Sequence, residues 1–370
     1  VNNIKITNKK DLEKLCGHIS KWDVSNVTSM RNLFFKFYPT KKYKGDFNED
    51  FNENLSKWNV NNVENMENMF YGCKQFTGKG LSEWSINVIN VKSMKGMFRN
   101  CTSFKGICIE DWDVSSVTTM EQMFDTCDNF EADLSRWNVS NVTNMELMFF
   151  NCKKLNFDVI DWTVNKVTNM SQMFDSCRSF EGRGLETWEV YNVSDMGYMF
   201  SGCVSFNINL NNWHDKLNSV TITESMFYGC INYEGNGLDD WNISNITDMN
   251  GMFNRCESFT GNTIERWNTN NVENMDYMFK NCISFNANLS NWSDKLNKVT
   301  SMKRMFEDCT SFEGKGLDNW KLNANIKMQD IQDMFKNCPK LITPEWYIKM
   351  SKKKTSKLSK GKKTATKAER

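Results

Sequence analysis

Tryptophan recurs along this chain at nearly fixed intervals. From Trp58 through Trp84, Trp112, Trp137, Trp162, Trp188, Trp213, Trp241, Trp267, Trp292 and Trp320 to Trp346, the steps are 25, 26 or 28 residues, with Trp22 standing ahead of the series. A period of that length marks an array of like units, and it constrains the fold more than any other feature. One unit cannot fold alone. It offers about eight apolar side chains, worth roughly 1.5–3 kcal/mol each when buried. Ordering its backbone costs about 1–2 kcal/mol per residue. Burial against like neighbours supplies the difference.

A representative unit runs from Leu134 to Phe157, LSRWNVSNVTNMELMFFNCKKLNF. Its pattern is L-x-x-W-x-V-x-x-V-x-x-M-x-x-M-F-x-x-C-x-x-F, and every apolar letter recurs as a column down the chain. Trp-x-Val has the two-residue alternation of a short strand. Val-x-x-Met-x-x-Met-Phe-x-x-Cys places apolar residues at helical spacing. The expected fold is therefore an α/β repeat solenoid of about twelve rungs, each with one or two short strands followed by a helical turn. The expected core columns are represented by Trp137, Trp162 and Trp188, by Met145, Met148, Met170 and Met173, by Phe149 and Phe174, and by Cys152 and Cys177. The Asn before the second Val, as at Asn62 or Asn141, suits a corner, through left-handed backbone or through stacked side chains.

Three segments are expected. Residues 1–21 read as an N-terminal cap, in which Asn8 would cap a short helix carrying Asp11, Leu12 and Leu15. Residues 22–346 form the array, with an aromatic and charged insertion at 35–50 that is either a functional loop or a tolerated surface excursion. Residues 347–370 read as a basic, disordered tail. Positions 351–370 carry a net charge of +8 and the remainder a net of −7. Lys352, Lys353, Lys354, Lys357, Lys360, Lys362 and Lys363 are the candidate anion-binding residues. They would give non-specific polyanion contact by counterion release, or simply a solubilising tail. There is no aromatic residue among them for base stacking.

No catalytic, cofactor-binding or metal-binding set stands out. The two histidines, His18 and His214, are far apart in sequence, so no His-based triad is expected. The 13 cysteines include no Cys-x-x-Cys pair, and eleven occupy one column, which reads as a buried ladder of thiols. Cys16 and Cys108 fall outside it and are the better reactive thiols. Asn-x-Ser/Thr sites such as Asn141-Val-Thr fall in the repeat corner and read as structural before they read as glycan acceptors. No window of 18 apolar residues exists to span a membrane.

The units Trp137–Cys152 (WNVSNVTNMELMFFNC) and Trp241–Cys256 (WNISNITDMNGMFNRC) resemble the repeat of about 25 residues known as BspA-type or DUF285, over residues 22–346. That resemblance implies a right-handed, leucine-rich-repeat-like stack. Members are similar to bacterial surface proteins and adhesins, with arrays also in protists and large DNA viruses. The expected function is a non-enzymatic protein–protein interaction scaffold using an exposed face of the array, with an unknown protein partner. The alternative is a cell-surface or virion-associated adhesin or structural protein. The cysteine-rich column and the lack of an export or sorting signal favour a reducing, intracellular setting over surface or virion association.

Overall fold

The computed structural model describes residues 17–35 and 49–352. The Asn8 cap, Cys16, most of the 35–50 insertion and the lysines from Lys353 onward lie outside those residues. The chain divides into two compact units, Val1–Ile208 and Asn209–Arg370.

The α/β leucine-rich-repeat-like solenoid is not what forms. Among the described residues strand pairing is limited to isolated parallel bridges. Helix is limited to seven 3-10 turns, from Ile19–Lys21 to Ser290–Trp292, and one α-helix at 345–352. The repeats are instead runs of β-turns.

In the repeat containing Met120, the Met123 N–H donates to the Met120 carbonyl (3.1 Å) and the Cys127 N–H to the Phe124 carbonyl (2.9 Å). The third residue of each turn, Gln122 and Thr126, has φ of 58° and 60°. A positive φ there is the mark of a type II turn. Two such turns in succession put Met120, Met123, Phe124 and Cys127 on the inside at offsets of three, four and seven. Those are the offsets of a helix face, which is why the pattern reads as helical. The positions between the turns carry whatever tolerates left-handed backbone. They include Asn68, Asn100 and Asn151, glycine at Gly72 and Gly96, but also Leu147 and Tyr198. For a side chain such as leucine that conformation costs about 1–2 kcal/mol.

The remaining N–H groups point along the array. Met120, Gln122, Phe124 and Thr126 donate to the carbonyls of Asn144, Glu146, Met148 and Phe150 in the following repeat, at 2.7–3.1 Å. Every second N–H thus closes a local turn or joins the next repeat. Parallel bridges mark the same register, running Ser29, Asn65, Ser93, Thr119, Asn144, Asn169, Asp195 in the first unit. In the second they run Ile222, Asp248, Asn274, Ser301.

Side chains repeat the joins. The Trp162 indole N–H donates to the Leu134 carbonyl (3.0 Å), and Trp267 does the same to Leu238 (2.8 Å). The Cys152 thiol donates to the Phe124 carbonyl (3.1 Å) and Cys177 to Phe149 (3.0 Å). The corner asparagines are not left-handed. Their amides reach back one repeat, Asn62 to the Ser25 carbonyl and Asn141 to that of Ser115, each at 2.8 Å. Phenylalanine rings stack in file, as with Phe98 and Phe124, whose centroids are 5.7 Å apart and whose planes are parallel to within 1°. Before some tryptophans a glycine sets the entry. Gly80 has φ of 83°, and a Cβ there would strike the Ser56 backbone.

Candidate interaction surface

The residues expected to build the core lie inside. Trp137, Trp162 and Trp188 are at most 3% exposed, and Met145, Met148, Met170, Met173, Phe149, Phe174, Cys152 and Cys177 are fully buried. Of the candidate tail residues only Lys352 is described, at the exposed end of the 345–352 helix.

The residues that alternate with that core form their own columns, held in file by the same ladder; most are half-buried, and Asp125 and Ser201 are buried. One column stands one place after the second methionine's phenylalanine. In the first unit it reads Tyr71, Arg99, Asp125, Phe150, Asp175, Ser201. Another stands one place after the first methionine and reads Glu67, Lys95, Glu121, Glu146, Ser171, Gly197. The third, left-handed column lies between them: Asn68, Gly96, Gln122, Leu147, Gln172, Tyr198. Sequence reasoning missed this surface because it looked for chemistry at constant positions, and these are the positions that change.

Charges along the columns pair between repeats. Arg31 meets Glu67 at 3.1 Å, Lys95 meets Glu121 at 2.7 Å, and Arg99 meets Asp125 at 2.8 Å with Tyr71 under its guanidinium. In the second unit Glu307 is buried between Lys280 and Lys336, each 2.7 Å away, with Arg304 beyond.

Two kinds of carboxylate result. Burial pushes Glu307 upward, but hydrogen bonds and charge from Lys280 and Lys336 outweigh it and hold the group below its ordinary range. Burial dominates at Asp125 and Asp175 and raises both, against hydroxyl partners Thr126 and Ser176 and, for Asp125, Arg99. The two kinds act oppositely on stability. The Glu307 contribution is full above the unfolded-state value near 4.5 and is lost as pH falls through the lower folded value. The cost of ionising Asp175 appears as pH rises above the carboxylate range and is relieved on acidification. Glu307→Gln should therefore lower unfolding free energy at pH 7 by about 1.5–3 kcal/mol, the worth of a hydrogen bond to a charged group. Urea unfolding at pH 7 and pH 4 checks this. The deficit should shrink at the lower pH, and Asp175→Asn should cost nothing at pH 7.

The other candidates do not converge. His18 lies 3.2 Å from Glu53 in the first unit. His214 lies beside Asp215 in the second. Cys108 is partly covered, and burial raises its thiol to about 11. Among the described residues no group of three or more His, Cys, Asp or Glu gathers to hold a metal ion. No described helix is long and apolar enough to cross a membrane. The twelve described cysteines all stand as thiols.

The repeat is that of a known family. The DUF285 model, described as a Mycoplasma protein of unknown function, matches residues 6–106, 78–183, 157–236 and 221–346. The chain belongs to the DUF285 family. No curated protein matches it. Among solved structures it is similar to a leucine-rich cell surface protein from Faecalibacterium prausnitzii, at 15% identity over 68% of this chain and 76% of that one, with a TM-score of 0.32. It is also similar to a leucine-rich-repeat protein from Bacteroides ovatus, at 16% identity over 76% of this chain and 75% of that one, with a TM-score of 0.39. Overlap this slight does not carry their architecture over to this chain.

Proposed function

We propose that the chain is a non-enzymatic protein-binding protein that uses the outward columns of its repeats as the binding surface. One observation supports this above others: the inward columns hardly change from repeat to repeat, while the outward columns change at nearly every step, the Glu121 to Glu146 step excepted. Tyr71, Arg99, Asp125, Phe150, Asp175 and Ser201 occupy equivalent backbone positions. A fixed frame that displays varied side chains at regular spacing can form a surface specific to one partner, with binding concentrated in a few aromatic and arginine residues.

The test is a pull-down with the full chain, compared with a Tyr71→Ser/Phe150→Ser variant. Both rings are only partly buried, so the melting temperature should hold while partner capture falls. Capture unchanged by the variant would show that this surface is not the one used. Recovery of the chain with the cell envelope would favour the adhesin or structural alternative.

A further inference from the structure

We propose, on the strength of the binding role above, that the outward surface of the first unit around Leu147 and Phe150 takes a lysine-rich segment of a protein partner that carries an aliphatic residue among its lysines. The two side chains stand three residues apart in one repeat, both partly exposed. The Leu147 backbone is left-handed, with φ of 56°. Its equivalents in the neighbouring repeats are Gln122 and Gln172, and elsewhere in the unit Asn68, Gly96 and Tyr198. Leucine is the one aliphatic residue in that column of the described first unit, at a place that leaves it partly exposed.

Charge decides what can cover the patch. Four carboxylates adjoin it. The ladder places Glu121 and Asp125 one repeat before, since the Gln122 and Thr126 N–H groups bond the Glu146 and Phe150 carbonyls. Asp175 lies one repeat after, where its carbonyl accepts from Asn151. Glu121 and Asp125 already hold Lys95 and Arg99. Glu146 has an amide partner, Asn169 at 3.1 Å, and Asp175 has the Ser176 hydroxyl at 2.8 Å. Neither has a cation within ion-pair distance among the described residues. Burial and the neighbouring Glu121 disfavour the ionised form of Glu146 and outweigh the opposing charge of Lys95 and the Asn169 hydrogen bond. Lysines arriving with a partner would compensate both groups. An acidic segment would be repelled by Glu146 and Asp175, the two without such a cation. The apolar pair inside that charged ring supplies the desolvated centre that a binding segment needs.

The experiment uses fluorescein-labelled synthetic peptides and the intact chain in fluorescence anisotropy. The peptides are a leucine flanked on each side by two lysines, the same with glutamates for lysines, and the lysine peptide with serine for leucine. The lysine–leucine peptide should bind tightest, and added salt should weaken it as screening grows. Glu146→Gln combined with Asp175→Asn should weaken it by about fivefold or more, and Leu147→Gly comparably, by loss of charge and apolar contact respectively. Asp239→Asn, an exposed change in the second unit, should leave it unaltered. Glycine suits the left-handed backbone, so Leu147→Gly should melt no lower than the parent. Equal binding of the lysine and glutamate peptides, or unaltered binding by the Glu146 and Leu147 variants, would overturn the inference. If that happens while partner capture still depends on Tyr71 and Phe150, the binding role stands and the partner has another chemistry. If capture is also independent of them, the binding role itself falls.

Discussion

Trp162→Ala should lower unfolding free energy by roughly 3–5 kcal/mol, the range for removing a large buried ring. Trp162 is 3% exposed, stacks on Trp188 at 6.3 Å with planes 4° apart, and touches Phe149 and Phe157. Its loss also strips the Leu134 carbonyl of its indole donor. That carbonyl keeps the Trp137 N–H as a donor (3.0 Å), so the lost bond adds little to the cost of the cavity. Trp346, by contrast, is only partly buried, although it makes the same bond to Leu317. Trp346→Ala should cost clearly less. Denaturant unfolding followed by circular dichroism compares the two without relying on the lost fluorophore. Equal, small effects would mean that the tryptophan file is not what holds the repeats together. Because each repeat contacts its neighbours, hydrogen exchange in the Trp162 variant should quicken in the adjoining repeats before the distant ones.

Alkylation of the native protein should separate the cysteines into two groups. Cys108 and Cys338 are partly covered, and burial lifts each thiol to about 11. The rest of the column is enclosed. Burial raises Cys73 to about 12 and carries Cys127, Cys177 and Cys282 further still. Only the thiolate reacts, so each unit of elevation removes about nine-tenths of the reactive form. Enclosure adds the cost of opening the repeat. Site-resolved mass spectrometry after iodoacetamide at pH 8 should find Cys108 and Cys338 labelled first. Cys127 and Cys177 should lag by at least about a hundredfold until denaturant is added. Labelling of Cys177 as fast as Cys338 would show a loosely packed column, and recovery of column cysteines as disulfides would show that the thiols are not the native form.

The repeat and its family were legible because they rest on composition at fixed intervals. What was misread was the backbone. Apolar offsets of three, four and seven specify which residues share a side, and both a helix and two successive type II turns satisfy them. The discriminating signal lay in the polar positions between. Asn32, Asn68, Gly96, Asn100, Asn151 and Gly202 are residues of turns, recurring at the two places where the chain is left-handed. Leu147, Tyr198 and Arg255 at the same places blur that signal. The short strand failed for a related reason. Trp-x-Val alternates, but almost every bridge falls at the residue before the first methionine position, as from Thr119 to Asn144, with Leu296 to Leu322 the exception among the described residues. The binding surface was illegible in another sense. It consists of what differs between repeats, and a single sequence shows variation without showing which of it is used.

The ladder between repeats has a direction whose consequence is felt where it stops. Within the paired turns donors face the next repeat, as when Arg304 and Phe306 donate to Gln332 and Met334, while other N–H groups, such as those of Thr300 and Lys321, donate back to Glu273 and Ser293. The N–H groups of Asp333, Phe335 and Asn337 occupy the same donor positions, and no acceptor meets them among the described residues. The 345–352 helix continues the indole file through Trp346, 6.4 Å from Trp320, without supplying a backbone that could receive them. Along these three positions the edge presents hydrogens. Two such edges brought together by a twofold axis would set donor against donor, so symmetric tail-to-tail pairing gains nothing from the backbone. Along these positions that mode of self-association is disfavoured by polarity, not by charge or bulk.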